Sequence, residues 1–186
     1  MNVYDLCPEL VSTHFTLRLV EMADAPALLQ VYSDPAALPL FNADNCHYGA
    51  FHMETLEAME GCIRAWLAEY EQGHFVRWTV LDGAEPVGTV ELFKRVAGDD
   101  FGHHGLLRLD MRSDYETESA LSELFSLLSA HAYDLFDCDA LATKAIPAAA
   151  ERCAALEKCG FSLSAGRLIG HDGTRYGDYW VREKVI

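Results

Sequence analysis

The chain has 186 residues, of which 51% are hydrophobic, and a formal net charge of −15 from 14 basic and 29 acidic side chains. This length and apolar content predict one globular domain over residues 1–186. The negative charge argues against binding to nucleic acid or to anionic membranes, since both need Lys and Arg, and it favours a cationic or neutral partner.

The sequence shows no segment typical of membrane insertion or export. No apolar run approaches the roughly 20 residues that cross a bilayer, and the N-terminus lacks a basic region followed by an apolar one. We therefore expect a cytoplasmic protein. Six cysteines occur without Cys-x-x-Cys pairs, and the His103–His104 pair has no neighbour at ligand spacing, so we expect free thiols and no metal site.

The first half of the chain predicts one strand and two helices separated by a long loop. Period-two alternation predicts a strand over residues 15–21, and Asp24 is expected to cap the helix that follows. Residues 35–54 carry two prolines, a glycine and no regular period, which is typical of a loop. Thr55 is expected to cap a strong helix that stops before Gly73.

The second half contains most of the predicted strands. Two strands meet at the Asp82–Gly83 turn, a central strand and a helix follow, and residues 140–146 form a short strand. A helix then ends at Gly160, and two strands joined at residues 171–173 close the chain. The order β-α-α-β-β-β-α-β-α-β-β predicts the α/β class, with a mixed, mostly antiparallel central sheet and helices on both faces.

The segment Gly105–Leu128 is the most informative part of the sequence. An apolar strand with Leu109 and Met111 on one face leads through a polar turn into an amphipathic helix. A strand, a turn and a helix start in this order present free backbone N–H groups of the kind that bind phosphate. The turn itself has two carboxylates and no glycine, reading Glu116-Thr117-Glu118-Ser119.

Three short segments carry a resemblance to a known family. The opening THFTLRLVEMADAPALLQVYSDP is similar to that family's start, with Thr16-Leu17-Arg18 and Asp24-Ala25 matching. PVGTVELF, which contains Gly88, is similar to one of its strands, and LEKCGF at residues 156–161 is similar to one of its helix ends. With the element order, almost the whole chain resembles the GNAT acetyltransferase superfamily, and within it the RimJ/RimL-type N-acetyltransferases.

The resemblance implies a GNAT-like fold and transfer of an acetyl group from acetyl-CoA to a primary amine, either a peptide N-terminus or a small amine. It assigns acetyl-CoA, as co-substrate, to a set of residues around the strand–turn–helix segment and the later helix: Leu109, Met111, Tyr115, Glu116, Thr117, Glu118, Ser119, Ala149 and Arg152.

The turn departs from the family's usual R/Q-x-x-G-x-G/A pattern. Glu116 and Glu118 replace a basic Arg and Lys, and both glycines are lost. A carboxylate about 5 Å from a phosphate would oppose binding by about 1–3 kcal/mol. The alternative role for the two carboxylates is to stabilise the helix N-terminus, by roughly 0.3–1 kcal/mol each.

The later helix departs from the family pattern as well. An Asn that touches the pantetheine arm and a Ser or Tyr that protonates the leaving thiolate are usual there. Ala149 and Arg152 occupy the Asn and Ser positions, and Leu156 occupies the Tyr position. None of the three is an acid, and Arg152 is expected either to pair with a CoA phosphate or to form a salt bridge.

Attack on a thioester needs a neutral amine, so a carboxylate or imidazole near the central strands is expected to take its proton. Glu91 and Asp110 lie within predicted strands, and His103 lies at the entry to the central strand. The long loop falls where substrate enters in the family, and Trp66 is expected to pack beneath it. The candidates for contact with the acceptor are Phe41, His47 and His52.

Three functions remain open at this point. The first is an N-acetyltransferase that acts on a small amine or a basic protein, which the acidic surface would suit. The second is a GNAT-fold binding or regulatory module without acetyl-CoA chemistry, suggested by Ala149 and by residues 116–119. The third is transfer from an acyl donor that lacks a pyrophosphate. The resemblance also allows a homodimer, although the sequence marks no interface.

Overall fold

The computed structural model of the chain describes residues 2–46 and 50–185. The helices are α1 (Ala25–Tyr32), α2 (Leu56–Glu71), α3 (Glu118–Phe136) and α4 (Ala150–Lys158), with 3-10 turns at Met22–Asp24, Leu38–Leu40 and Ser113–Tyr115. The strands are β1 (Leu10–Val11), β2 (Phe15–Leu19), β3 (Val76–Asp82), β4 (Glu85–Lys94), β5 (Gly105–Met111), β6 (Ala140–Lys144), β7 (Ser162–Leu163), β8 (Leu168–Ile169), β9 (Arg175–Tyr176) and β10 (Tyr179–Glu183).

Eight of these strands form one sheet in the order β1-β2-β3-β4-β5-β6-β10-β7. Every neighbouring pair is antiparallel except β5 and β6, which run parallel and are connected through α3. A parallel pair needs a crossover of this kind, because a tight turn cannot bring the chain back to the same edge. The predicted mixed α/β sheet is therefore confirmed.

Helices cover both faces of the sheet. The apolar stripe of α3 packs on one face, where Leu121, Leu124 and Phe125 are fully buried against strand residues such as Leu109. The opposite face is covered by α1 and α2, whose buried side chains form a second apolar cluster. Charged and hydroxyl side chains of β3, β4 and β5 point into this second face, and they form the polar part of the site described below.

Of the two helix caps expected from the sequence, the one at Thr55 is present and the side-chain cap at Asp24 is not. The hydroxyl of Thr55 accepts the backbone N–H of Ala58 at 3.1 Å, as predicted. Asp24 precedes α1 but makes no side-chain cap there. Its carboxylate instead pairs with Arg18 at 2.6 Å and accepts the Thr79 hydroxyl at 2.6 Å. Asp24 thus occupies the N-cap position as predicted, but its side chain does not cap the helix, because the half-buried cation of Arg18 on β2 is a stronger partner than a helix amide.

The C-terminal strands are more numerous than the two predicted. The turn at residues 171–173 is present, but the hairpin around it, β8 and β9, forms a separate two-stranded sheet. The last strand, β10, enters the main sheet between β6 and β7. This arrangement extends the sheet beyond the parallel pair. Within the described residues, no helix is long and apolar enough to cross a membrane.

Candidate functional site

The parallel strands β5 and β6 part before β5 ends. Their paired residues run only from Gly105 opposite Leu141 to Leu107 opposite Thr143, whereas β5 continues to Met111. On the side away from β4, the far half of β5 therefore borders a cleft instead of a neighbouring strand. The cleft opens beside the turn into α3, which is where the resemblance assigns acetyl-CoA.

Two backbone N–H groups in the first turn of α3 bond to side chains of the same protein. Thr117 is the N-cap, and its hydroxyl accepts the N–H of Ala120 at 3.3 Å. The N–H of Glu118 donates to a carboxylate oxygen of Glu151, on α4, at 2.7 Å. A helix N-terminus of this kind attracts anions, and here a carboxylate of the same chain is the anion.

Glu116 and Arg152 form a buried ion pair inside the cleft. Their side chains are 6% and 2% exposed. The Nε–H of Arg152 donates to Glu116 at 3.2 Å, and a second, shorter contact joins its Nη2 to the other carboxylate oxygen. The remaining guanidinium nitrogen, Nη1, donates to the backbone oxygen of Leu109 at 2.7 Å. Arg152 therefore fills the space next to the unpaired part of β5.

This pair changes one of the expectations for the acidic turn. Glu116 is paired with Arg152, so it is not a free carboxylate facing a phosphate, whereas Glu118 lies in the first turn of α3 as the alternative expected. Glu118 points to Lys158 of α4 at 2.9 Å. Of the two roles expected for Arg152, the salt bridge is the one observed. Because both side chains are buried, removal of either partner would leave the other as an uncompensated buried charge.

The other residues assigned to acetyl-CoA surround the cleft at different depths. Leu109 and Met111 are buried under α3, and the hydroxyl of Tyr115 donates to Asp82 at 2.8 Å on the outer side of the turn. Ser119 is exposed. Ala149 lines a small cavity of about 220 Å³ at the mouth of the cleft, together with Leu40, Glu116 and Arg152.

Two of the candidate bases lie together on the opposite face of the sheet. Asp110 of β5 and Glu91 of β4 are 5% and 4% exposed. One oxygen of Asp110, Oδ2, accepts the hydroxyl of Tyr32 at 2.9 Å and lies 3.5 Å from Arg77. Glu91 contacts Arg77 closely and lies 3.5 Å from Arg108.

The surroundings of the two carboxylates differ in charge. Burial raises the pKa of Asp110 above its usual value of 3.8, against the opposing charges of Arg77 and Arg152. Arg77 itself is stacked over the ring of Trp66, 4.2 Å from the centroid, and its pKa is raised despite burial by the negative groups around it. Burial therefore favours uptake of a proton at Asp110.

His103 is not brought to this site. It lies exposed in the turn before β5, with a backbone φ of +72°. The extended chain from Gly105 to Asp110 alone spans about 16 Å at about 3.3 Å per residue, and His103 lies two residues before it. It is therefore at the opposite end of the strand, about 20 Å away.

The loop that was expected to meet the acceptor is anchored over β6 and β10. Asp44, on this loop, pairs with Lys144 and accepts the hydroxyl of Tyr179 at 2.8 Å. Phe41 is buried, with its ring 5.4 Å from that of Tyr32. His52 is exposed, with its ring near Glu54, and His47 lies outside the described residues.

Trp66 packs as predicted and is 5% exposed. Three functional candidates were missed from the sequence: Glu151, Tyr32 and Arg77. Only Arg77 could have been found from the sequence. The Asp82–Gly83 turn sets the register of β3 and β4, and this register places Arg77 opposite Glu91. Glu151 reaches α3 across 33 residues of chain, and no local pattern reports such a contact.

Comparison with known proteins agrees with this geometry. Residues 14–162 match the family described as the acetyltransferase (GNAT) domain. A comparison with curated proteins finds no significant match.

Several solved structures share the fold at low sequence identity. RimL, described as the ribosomal L7/L12 alpha-N-protein acetyltransferase and solved in complex with coenzyme A, is 15% identical over 95% of this chain and 98% of its own, with a TM-score of 0.70. The acetyl transferase from Salmonella typhimurium that modifies the N-terminal serine of L7/L12 is 14% identical over 92% and 96%, with a TM-score of 0.67. A GNAT-family acetyltransferase from Bacillus anthracis is 13% identical over 95% and 99%, with a TM-score of 0.70.

The family match covers well over half of the chain, and the central strand, the turn and the crossover helix stand in the predicted order. Because these lines agree, the chain belongs to the GNAT acetyltransferases, the family that transfers an acetyl group from acetyl-CoA to an amine.

Proposed function

We propose that this chain acetylates a primary amine, either a peptide N-terminus or a small amine, and that Asp110 receives the proton which the amine loses. The observation that carries the proposal is the position of Asp110, buried on β5 where this strand borders the cleft. An amine that attacks a thioester must be neutral. A carboxylate with a raised pKa beside the cleft supplies the required acceptor for its proton.

Asp110 suits this role better than Glu91. Glu91 lies between the guanidinium groups of Arg77 and Arg108, so both of its carboxylate oxygens already have a charged partner. Within the described part of the chain, Asp110 has one guanidinium contact, to Arg77 at 3.5 Å, and it uses Oδ2 for that contact and for the Tyr32 hydroxyl. Among residues 2–46 and 50–185, no donor contacts its second oxygen, Oδ1, so this oxygen is available to a proton.

The charge of the molecule supports a cationic acceptor. A protein with a net charge of −15 attracts protonated amines from solution and concentrates them near its surface. RimL and the Salmonella typhimurium enzyme, which share the fold, are described as acting on the N-terminus of a ribosomal protein. We therefore rank peptide N-termini, basic proteins and polyamines as the first acceptors to test.

The alternative, a GNAT-fold module without acetyl-CoA chemistry, is not favoured by the family match. It also gives no reason for an acid with a raised pKa at the edge of the cleft. The test below separates the two functions, because a binding module would transfer no acetyl group to any acceptor.

The test is an acetyl-transfer assay read by mass spectrometry. Acetyl-CoA is supplied with peptides that have a free N-terminus, with the same peptides blocked at the N-terminus, and with a polyamine. We expect one acetyl group on free amines only. Asp110→Asn should lower kcat by about 10²–10⁴-fold, the usual contribution of a general base, with CoA affinity unchanged within about twofold.

A matched control and a pH series complete this test. Asp137→Asn changes an exposed residue whose left-handed backbone suits Asn, so its activity should equal that of the wild type. Below the raised pKa of Asp110, both the amine and the base are protonated, so the slope of log kcat/KM against pH should approach about 2 in the wild type and stay near 1 in Asp110→Asn. Equal slopes would exclude Asp110 as the base.

A further inference from the structure

The first turn of α4 makes two separate contacts with the cofactor segment. The carboxylate of Glu151 accepts the N–H of Glu118 at the start of α3, at 2.7 Å. The guanidinium of Arg152 donates to the Leu109 backbone oxygen at 2.7 Å and pairs with Glu116. Two neighbouring residues of α4 therefore fill two places: Glu151 contacts the N-terminus of α3, and Arg152 lies in the cleft.

These contacts use the groups that a CoA molecule would need. Backbone N–H groups at a helix N-terminus are the donors that bind phosphate, and a carboxylate competes for them as an anion of the same sign. The unpaired backbone of β5 is where an extended ligand would be held, and Arg152 already bonds to it. A donor or acceptor taken by α4 is not free for a ligand.

The local charge also opposes the binding of phosphate. Three carboxylates, Glu116, Glu118 and Glu151, meet two cations, Arg152 and Lys158, so the segment is one charge more negative than neutral. CoA brings several negative phosphate charges to this position. Removal of the internal contacts therefore has to precede, or accompany, the binding of its phosphates.

We propose that α4 carries a built-in competitor for acetyl-CoA, in which Glu151 holds the phosphate position and Arg152 holds the cleft until both are displaced. This inference rests on the proposed function, because it concerns the same cofactor site. It makes the affinity for CoA depend on the strength of an intramolecular contact. It also predicts that the phosphates of CoA contribute little to affinity in the wild type.

Calorimetric titration with two ligands tests the role of Glu151. CoA carries the phosphates, and pantetheine is the same arm without them. Glu151→Ala should bind CoA on the order of tenfold more tightly than the wild type, the effect of releasing one charged hydrogen bond. Its affinity for pantetheine should change by less than about twofold. Glu157→Ala, an exposed change on the same helix, is the matched control and should bind both ligands as the wild type does.

A second variant tests the role of Arg152. Glu116→Gln keeps the shape of the buried partner but removes its charge, so Arg152 is held less firmly and the cleft opens more readily. We expect tighter binding of both CoA and pantetheine, by about three- to tenfold. Unchanged affinity for both ligands would overturn the part of the proposal that concerns Arg152.

The outcomes separate this inference from the proposed function. If the wild type and Glu151→Ala bind CoA with equal, measurable affinity, Glu151 does not compete with CoA. That result would leave the proposed acetyltransferase function unaffected. A wild type in which CoA binds far more tightly than pantetheine would also overturn it, since the phosphates would then already be bound. No binding of either ligand by any variant would contradict both the competitor and the use of acetyl-CoA.

Discussion

At the scale of single residues, buried charges are placed where their partners can neutralise them. Asp24 is 2% exposed, yet it stays ionised because it lies against Arg18 and Thr79. Burial alone would raise the pKa of Asp24, but the hydrogen bonds from these two residues outweigh burial and lower it below 3.8. A lowered pKa means that the folded state binds fewer protons than the unfolded state near that pH, so the ion pair stabilises the fold above pH 3.8.

Asp24→Asn should therefore lower the free energy of unfolding by about 1–3 kcal/mol near neutral pH, the usual value for a hydrogen bond to a charged group. The loss should shrink as the pH falls from 3.8 through the folded-state pKa, because wild-type Asp24 then becomes neutral as well. Urea unfolding at neutral and acidic pH measures this difference. The same loss at every pH would show that the charge of Asp24 is not what stabilises the fold.

At the scale of elements, the close approach of β4 and β5 depends on Gly88. A Cβ built at this position would lie 2.5 Å from the backbone oxygen of Asp110 and even closer to the sulfur of Met111. Since neither strand can move without disturbing the sheet, Gly88→Ala should destabilise the protein by about 1–3 kcal/mol. It should also displace Asp110 and lower acetyl transfer.

Gly98→Ala is the matched control for this change, because no atom lies within 4 Å of a Cβ built there. Thermal unfolding compares the two variants. If Gly88→Ala melts at the same temperature as Gly98→Ala, then β4 and β5 do not approach each other as closely as the structure indicates.

Local sequence patterns predicted the elements far better than they predicted the contacts between them. The stripe of α3, the cap at Thr55 and the parallel crossover follow from periodicity and from the order of strands, which a sequence displays directly. The pairing of Glu116 with Arg152 joins residues 36 apart and depends on how α4 docks against α3. The side-chain cap expected at Asp24 is absent for the same reason, since the partner of Asp24 comes from a neighbouring strand.

At the scale of the whole molecule, the fold forms a cleft where the resemblance assigns acetyl-CoA, and its own side chains fill that cleft. The strands part, the helix N-terminus faces the gap, and a buried acid lies beside it. The net charge of −15 draws in amines and repels the phosphates of CoA. The same charge thus attracts the proposed acceptor and repels the proposed donor. In the free protein, the pairing of Glu116 with Arg152 removes one unpaired negative charge from the cleft.

The most direct test of this account is the NMR signal of the Arg152 Nε–H group, assigned by its loss in Arg152→Lys. The account predicts a slowly exchanging signal in the free protein, because this N–H is buried and bonded to Glu116. Saturation with CoA should shift that signal or make its exchange fast, as Arg152 leaves the cleft. A signal that exchanges freely without ligand, or that stays unchanged when CoA is bound, would contradict the account.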